Sequence, residues 1–360
     1  MANIMIKKLK VAKYNKYWAL MLSEGEIPNE IFYTNKGRNI IKFESGEESI
    51  GTCINCEKKP CATFGQDEID IEILKGLPYN TDRRVCPSNA IQISENCGII
   101  INPEMCIGCG ICISRCPVGG IYFIKDGTHV DVGISSSPTW KIIKSRTMKN
   151  SITFNKFKNI KTTYSIDKIT IESARFFRYM FLKLSKSNSD LELIMIRNYL
   201  ISLGVYNKIS AKGNNDTRLD FLGLIDNKLI PGESELTGND ILGLPRRMLD
   251  DVAVLHSRYG VRKEDIIPVV VIFLFPRKRS DFYEVMSDIE KITGIKIRTL
   301  TVHFLKILTL LGIGLSLNDL KEYFVINKDN QDFGKYTKRF ITNIEKIDEN
   351  YGTDLYTFGK

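Results

Sequence analysis

Histidine is almost missing: the 360 residues hold three, His129, His256 and His303. They share no metal-ligand spacing and stand beside no nucleophile motif, so each is read as structural. The run G-x4-G-K-S/T is absent, which removes a P-loop ATPase from consideration. The chain does not open with a basic segment followed by an apolar one, and no secretory signal is expected. Long apolar runs are lacking too. Residues 269–275 are too few to span a bilayer, and the stretch from Val302 to Leu317 carries His303 and Lys306. A soluble protein with no membrane partner is the expectation. Cysteine is present, but eight of the nine fall into two tight motifs; a disulfide framework is not expected, and the reducing cytoplasm is the default compartment.

Cys106, Cys109, Cys112 and Cys116, followed at once by Pro117, form C-x2-C-x2-C-x3-C-P. Three thiolates at successive three-residue steps must converge on one centre, and Gly108 and Gly110 let the backbone curl around it with N–H groups aimed inward. Structural zinc sites more often separate two C-x2-C pairs by a longer spacer. A degenerate copy lies upstream: Cys53, Cys56 and Cys61 form C-x2-C-x4-C, and Cys86-Pro87 supplies a fourth position. VCPSNAIQI and RCPVGGIYF share Cys-Pro, a small residue, Ile and an alternating apolar stretch, an internal repeat.

About residues 50–127 therefore resemble the two-cluster bacterial ferredoxins. The resemblance implies two 4Fe-4S clusters, one held by Cys53, Cys56, Cys61 and Cys116, the other by Cys106, Cys109, Cys112 and Cys86. It leaves Cys97 outside both sets, as a small buried or half-buried thiol. Two departures stand out: the x4 gap, and twenty-four residues between Cys61 and Cys86 where the simplest ferredoxins have three. An insertion of that length is expected to lie on the surface without moving the ligands.

The formal charge is +9, and all of it is local. Residues 141–183 hold eleven Lys or Arg against Asp167 and Glu172, a net +9. Phe154, Phe157, Tyr164, Phe176, Phe177 and Tyr179 are interleaved with the cations. Either a phosphate backbone is the partner, with Lys156, Lys158, Lys161, Arg175 and Arg178 as contacts, or the strip is a solvated linker and helix face.

From about residue 170 the pattern changes. Helical spacing runs through residues 171–186 and 190–203, with Gly204 as the stop. Strand-like runs at 218–225 and 229–236 flank the turn residues Asp226-Asn227. A helix over 241–259, an apolar strand over 266–275 covered on both faces, a helix over 281–293 and a strand over 296–302 follow. This order predicts an α/β domain. Residues 1–50 and 320–360 have mixed composition and no readable pattern.

TRLDFLGLIDNKLIPGESEL places Asp220 on the first hairpin strand, with Glu233 and Glu235 near the end of the second. The pattern resembles the restriction-endonuclease-like nuclease superfamily, with an acidic residue on one strand and D/E-x-K on the next. The resemblance implies that Asp220 and Glu233 hold a magnesium ion that polarises a phosphodiester and activates the attacking water. Glu235 stands where Lys is usual and is read as a general base or a further ligand. Glu192, on the preceding helix, matches an acidic residue often found there. Arg246 and Arg247 open the following helix and suit phosphate contact. Pro231-Gly232 predicts a bulge that re-aims Glu233.

Taken together, an α+β ferredoxin-like N-terminal domain (1–140), a basic connecting segment (141–170) and an α/β restriction-endonuclease-like domain (171–360) are expected. The function expected is Mg2+-dependent cleavage of duplex DNA in a restriction or defence setting, by a homodimer because two strands must be cut. The clusters are structural, nucleic-acid-positioning, or redox-regulatory. Two rivals remain: a ferredoxin-type electron carrier whose C-terminal domain docks a redox partner, and a DNA-binding module without catalysis.

Overall fold

The computed structural model describes residues 59–94, 98–102, 104–116, 121–126, 129–134, 189–211, 218–236, 240–273, 275–277, 279–311 and 313–331, with the backbone of five short strands before residue 50. In chain order the elements are β1 (Lys8–Val11), β2 (Lys16–Trp18), β3 (Ile31–Thr34), β4 (Ile41–Lys42), β5 (Glu48–Ser49), α1 (Gln66–Ile69), β6 (Ile91–Ser94), β7 (Gly98–Ile101), α2 (Ile111–Arg115), β8 (Ile121–Asp126) and β9 (His129–Ile134). After them come α3 (Ser189–Ser202), β10 (Tyr206–Ile209), β11 (Phe221–Ile225), β12 (Lys228–Glu235), α4 (Leu244–Ser257), β13 (Val269–Ile272), α5 (Phe282–Thr293), β14 (Arg298–Thr301), α6 (Val302–Leu311) and α7 (Leu317–Glu322). Among the described residues no helix is long and apolar enough to cross a membrane.

The chain divides into two compact units, residues 1–64 with 84–169, and residues 65–83 with 170–360. In the first, β6 and β7 form an antiparallel hairpin, β3, β8 and β9 a three-stranded sheet, and β2-β1-β4-β5 a four-stranded one. Ile99, Ile107, Ile111, Ile113 and Ile121 are buried around the cysteine loop.

The second unit is a mixed α/β fold on a five-stranded sheet, in the order β10-β11-β12-β13-β14. The first three strands run antiparallel and the last three parallel. The β11–β12 hairpin closes on Asp226 and Asn227, both at positive φ (44° and 62°), as a two-residue turn matching the strand twist requires. β13, a run of Val and Ile, is buried along its whole length; each side chain contributes about 2 kcal/mol by transfer from water. The crossovers through α4 and α5 move the same way across the sheet, so right-handedness puts both helices on one face.

Two expectations change here. No bulge occurs at Pro231-Gly232: β12 runs unbroken, with Pro231 opposite Leu222 and Gly232 opposite Phe221. Counting from the two-residue turn, Pro231 falls at a position that makes no bonds to β11, and its missing N–H faces β13 just before that ladder begins at Gly232. Proline is tolerated there. Asp220 sits immediately before β11 rather than within it.

The insertion after Cys61 lies on the surface as expected, with residues 65–83 exposed or half-buried except at Ile69 and Leu77. Residues 65–83 belong to the second unit, where Asn80 N–H donates to the Ile209 carbonyl (2.9 Å) and Ala211 N–H to the Pro78 carbonyl (3.0 Å). The segment thus pairs with the end of edge strand β10, and the wholly buried Arg197 of α3 donates from Nη1 to the Asp82 carbonyl (2.6 Å). Covering an edge strand satisfies backbone groups that would otherwise invite pairing with another chain.

Candidate functional site

The cysteine loop is built by backbone geometry. Gly108 and Gly110 take φ of +67° and +80°, conformations that cost little only for glycine, and α2 follows with Ser114 N–H bonded to the Gly110 carbonyl (3.1 Å). Cys86, Cys106, Cys109 and Cys112 line one pocket, together with Val85, Ala90, Ile91, Ile101 and Ile107. Burial, then the neighbouring thiols Cys109, Cys106, Cys86 and Cys61, push the Cys112 thiol well above its ordinary pKa. Four thiolates in an apolar pocket need a cationic centre to be stable, so the donor set fits an iron–sulfur cluster.

Around Cys86 the sulfur accepts from Ala90 N–H (3.1 Å) and lies 3.5 Å from Ser88 Oγ. Arg115 of α2 donates from Nε to the Pro60 carbonyl (2.7 Å) and stacks on Phe64, which ties α2 to the turn carrying Cys61. Cys61 and Cys116 are both buried. Cys53, Cys56 and Cys97 lie outside the described residues, as do Lys156, Lys158, Lys161, Arg175 and Arg178.

A second site forms on the sheet of the other unit. Asp220 precedes β11, Glu233 and Glu235 are on β12, and Glu192 is on the first turn of α3. The four are electrostatic neighbours. Desolvation, then Glu235 and Asp220, raise Glu192 to a pKa of about 7. Asp220 is raised by burial and by Glu235, against the Ser234 backbone N–H and hydroxyl, each 2.8 Å from Oδ2. Glu233, 3% exposed, is pushed up to about 8 by burial and by Asp220, although Arg247 Nε donates to its Oε2 at 2.7 Å.

Arg247 is therefore held between Glu233 and Asp240, while Arg246 is exposed on α4. Among the described residues no three Cys, His, Asp or Glu side chains converge on a single point to hold one ion as they stand; Arg247 donates to Glu233 Oε2 and Ser234 to Asp220 Oδ2. The fit to a cation rests on what is left over. Glu233 Oε1 is buried with no hydrogen-bond partner, and so is Oδ2 of Asp251, a residue of α4 that the strand-based motif did not reveal. Its signal in the sequence is the i, i+4 spacing from Arg247, which puts both on one helix face.

The cysteine loop defines a class. Residues 99–122 match the family of 4Fe-4S binding domains, and this part of the chain is a ferredoxin-type iron–sulfur domain. The chain is similar to an uncharacterized ferredoxin of Methanocaldococcus jannaschii, 31% identical over 96 residues, covering 24% of this chain and 48% of that one. It is similar also to the polyferredoxin-like subunit of an aliphatic sulfonate oxidoreductase of Pyrococcus furiosus, 30% identical over 67 residues (18% of this chain, 27% of that one). The iron-sulfur subunit of a formate dehydrogenase of Wolinella succinogenes is 26% identical over 95 residues (25% and 37%). The chain spans about half the length, or less, of these relatives. Among solved structures, restriction endonuclease FokI aligns over 58% of this chain and 39% of its own, at 14% identity and a TM-score of 0.29, too low to establish a shared fold.

Proposed function

We propose that this chain is a divalent-metal-dependent endonuclease acting on duplex DNA, with its 4Fe-4S domain in a structural or redox-regulatory role. The observation that carries the reading is the gathering of Asp220, Glu233, Glu235 and Glu192 at one end of the β11–β12 hairpin, with a buried Glu233 oxygen that has no donor among the described residues. A hard cation there, held by Asp220 and Glu233, would polarise a phosphodiester and make water a better nucleophile. Glu235 stands on the same strand, two residues beyond Glu233 and so on the same face, as the base for that water. Arg247 holds Glu233 in place, and the exposed Arg246 would meet a phosphate. The basic strip over 141–183 supplies sequence-independent attraction to the DNA backbone. Two clusters, a cytoplasmic location, a homodimer and the division at residues 140 and 170 belong to the same proposal.

The test is incubation of anaerobically purified protein with plasmid DNA from several methylation backgrounds, with and without Mg2+ or Mn2+. Metal-dependent nicking or linearisation supports the nuclease; intact plasmid in every arm refutes it. A second reading is favoured by the relatives, which are named as a ferredoxin and as subunits of oxidoreductases: electron transfer to a separate redox partner. It predicts reversible reduction at physiological potential and no effect of Asp220→Asn or Glu233→Gln on that reduction.

A further inference from the structure

The carboxylate site has a fifth member that neither strand motif nor resemblance supplies. Asp251 lies on α4 one turn after Arg247, and residues four apart on a helix share a face. That face is turned to β12: Arg247 Nε holds Glu233 Oε2 at 2.7 Å, and Asp251 is a hydrogen-bonding neighbour of the same glutamate and an electrostatic neighbour of Asp220. Asp251 and Glu233 are each only 3% exposed. Yet among the described residues no N–H or hydroxyl group donates to the buried Glu233 Oε1 or Asp251 Oδ2.

Two acceptor oxygens out of reach of water, on neighbouring acids, are costly unless something positive lies between them. Among the described residues the cation beside them is Arg247, and it is already shared with Asp240. Asp220 and the adjacent Asp250 only add negative charge. What the two oxygens accept is therefore either a single proton or a hard cation that prefers oxygen ligands.

We propose that Asp251 is a ligand of the divalent cation at this site, contributed by helix α4 through Oδ2 beside Glu233 Oε1. The proposal rests on the reading that the carboxylate site holds such a cation. It makes the site a product of three segments, the end of the loop before β11, strand β12 and helix α4, so that cation binding would also fix α4 against the sheet. Arg247 on the same helix face then keeps Glu233 from swinging away when the cation is absent.

Mn2+ binding to the full-length protein, counted by the loss of the free-ion electron paramagnetic resonance signal, tests this without relying on cleavage. Wild type, Asp251→Asn, Asp251→Glu and Glu233→Gln are compared, with melting temperatures taken with and without Mn2+. Asp251→Asn should weaken Mn2+ binding on the order of ten-fold or more and abolish the Mn2+-induced rise in melting temperature. Its metal-free melting temperature should equal or exceed that of wild type, because a like charge has been removed, and Asp251→Glu should retain part of the binding. Asp251→Asn that binds Mn2+ within about two-fold of wild type, while Glu233→Gln does not bind, overturns the role of Asp251 and leaves the metal site standing; the oxygens then share a proton. Wild type that binds no Mn2+ overturns both. If Asp251→Asn does not fold, the Asp251→Glu variant decides, since unaltered affinity with a longer side chain would rule out direct ligation.

Discussion

The metal-free protein should lose stability as pH rises through neutrality, the reverse of what ordinary surface carboxylates do. Glu233 is raised from 4.5 to about 8, by burial first and Asp220 second, and Asp251 from 3.8 to about 7, by burial first and then Asp220. A carboxyl whose folded pKa lies above its unfolded value binds more protons folded than unfolded. Its stabilisation is complete below the unfolded pKa and is lost as pH rises through the folded one. Each proton retained costs about 1.4 kcal/mol per pH unit, so one proton kept on the Glu233–Asp251 pair from pH 5.5 to 8 is worth about 3 kcal/mol. For a unit of this size that is on the order of 10 °C in melting temperature. Calorimetry of the chelator-treated, anaerobic protein from pH 5.5 to 8.5 should show the transition of the sheet-bearing unit falling by that amount. Glu233→Gln should flatten the profile, and Mg2+ should restore the alkaline side. A wild-type transition that is level or rises over this range would refute the burial argument.

Other positions give sharper local tests. A Cβ on Gly232 would lie 1.8 Å from Phe221 Cζ, so Gly232→Ala should destabilise by about 3 kcal/mol or more in chemical denaturation, with partial recovery on adding Phe221→Ala. Removing the Ser88 hydroxyl 3.5 Å from Cys86 Sγ takes away a donor that favours the reduced cluster; Ser88→Ala should lower the midpoint potential by about 40 mV, the equivalent of about 1 kcal/mol for one electron. Cys86→Ala should lower iron content by about four atoms per chain, read by chemical iron assay. Arg197→Met leaves the Asp82 carbonyl without its donor; it should cost about 2 kcal/mol and open residues 65–83 to limited proteolysis.

How much of this was legible in the sequence depended on range. The hairpin was readable because Asp226-Asn227 is a turn signal that works locally, and β13 because its Val-Ile run shows burial on both faces. Helices α4 and α5 came within three residues at each end, with Gly260 and Gly294 at positive φ shortly after their last turns. β10 was missed because Tyr-Asn-Lys-Ile has only alternate burial and is short. α6 was hidden inside an apolar run that lacks a polar face, as a helix buried on most sides does. The bulge expected at Pro231-Gly232 failed because the sequence cannot say which side of a strand lacks a partner. The surface position of residues 65–83 is legible, but their pairing with β10 is not, because it is made to residues more than a hundred positions away. Asp251 was invisible for a related reason: one of two adjacent Asp residues on an amphipathic helix gains meaning only when α4 is laid against β12.

The proposed nuclease cuts DNA through a divalent cation held by carboxylates on β12 and before β11, while the 4Fe-4S domain stays intact. The most direct measurement is the single-turnover cleavage rate of end-labelled duplex DNA in Mg2+, anaerobically, for wild type, Asp220→Asn and Glu233→Gln at matched cluster absorbance. Wild type should cut only with the metal, and each variant should lose about 100-fold or more, with unchanged iron content. Cutting that persists in both variants would contradict the proposed nuclease site, as would a wild-type protein that reduces reversibly and never cleaves.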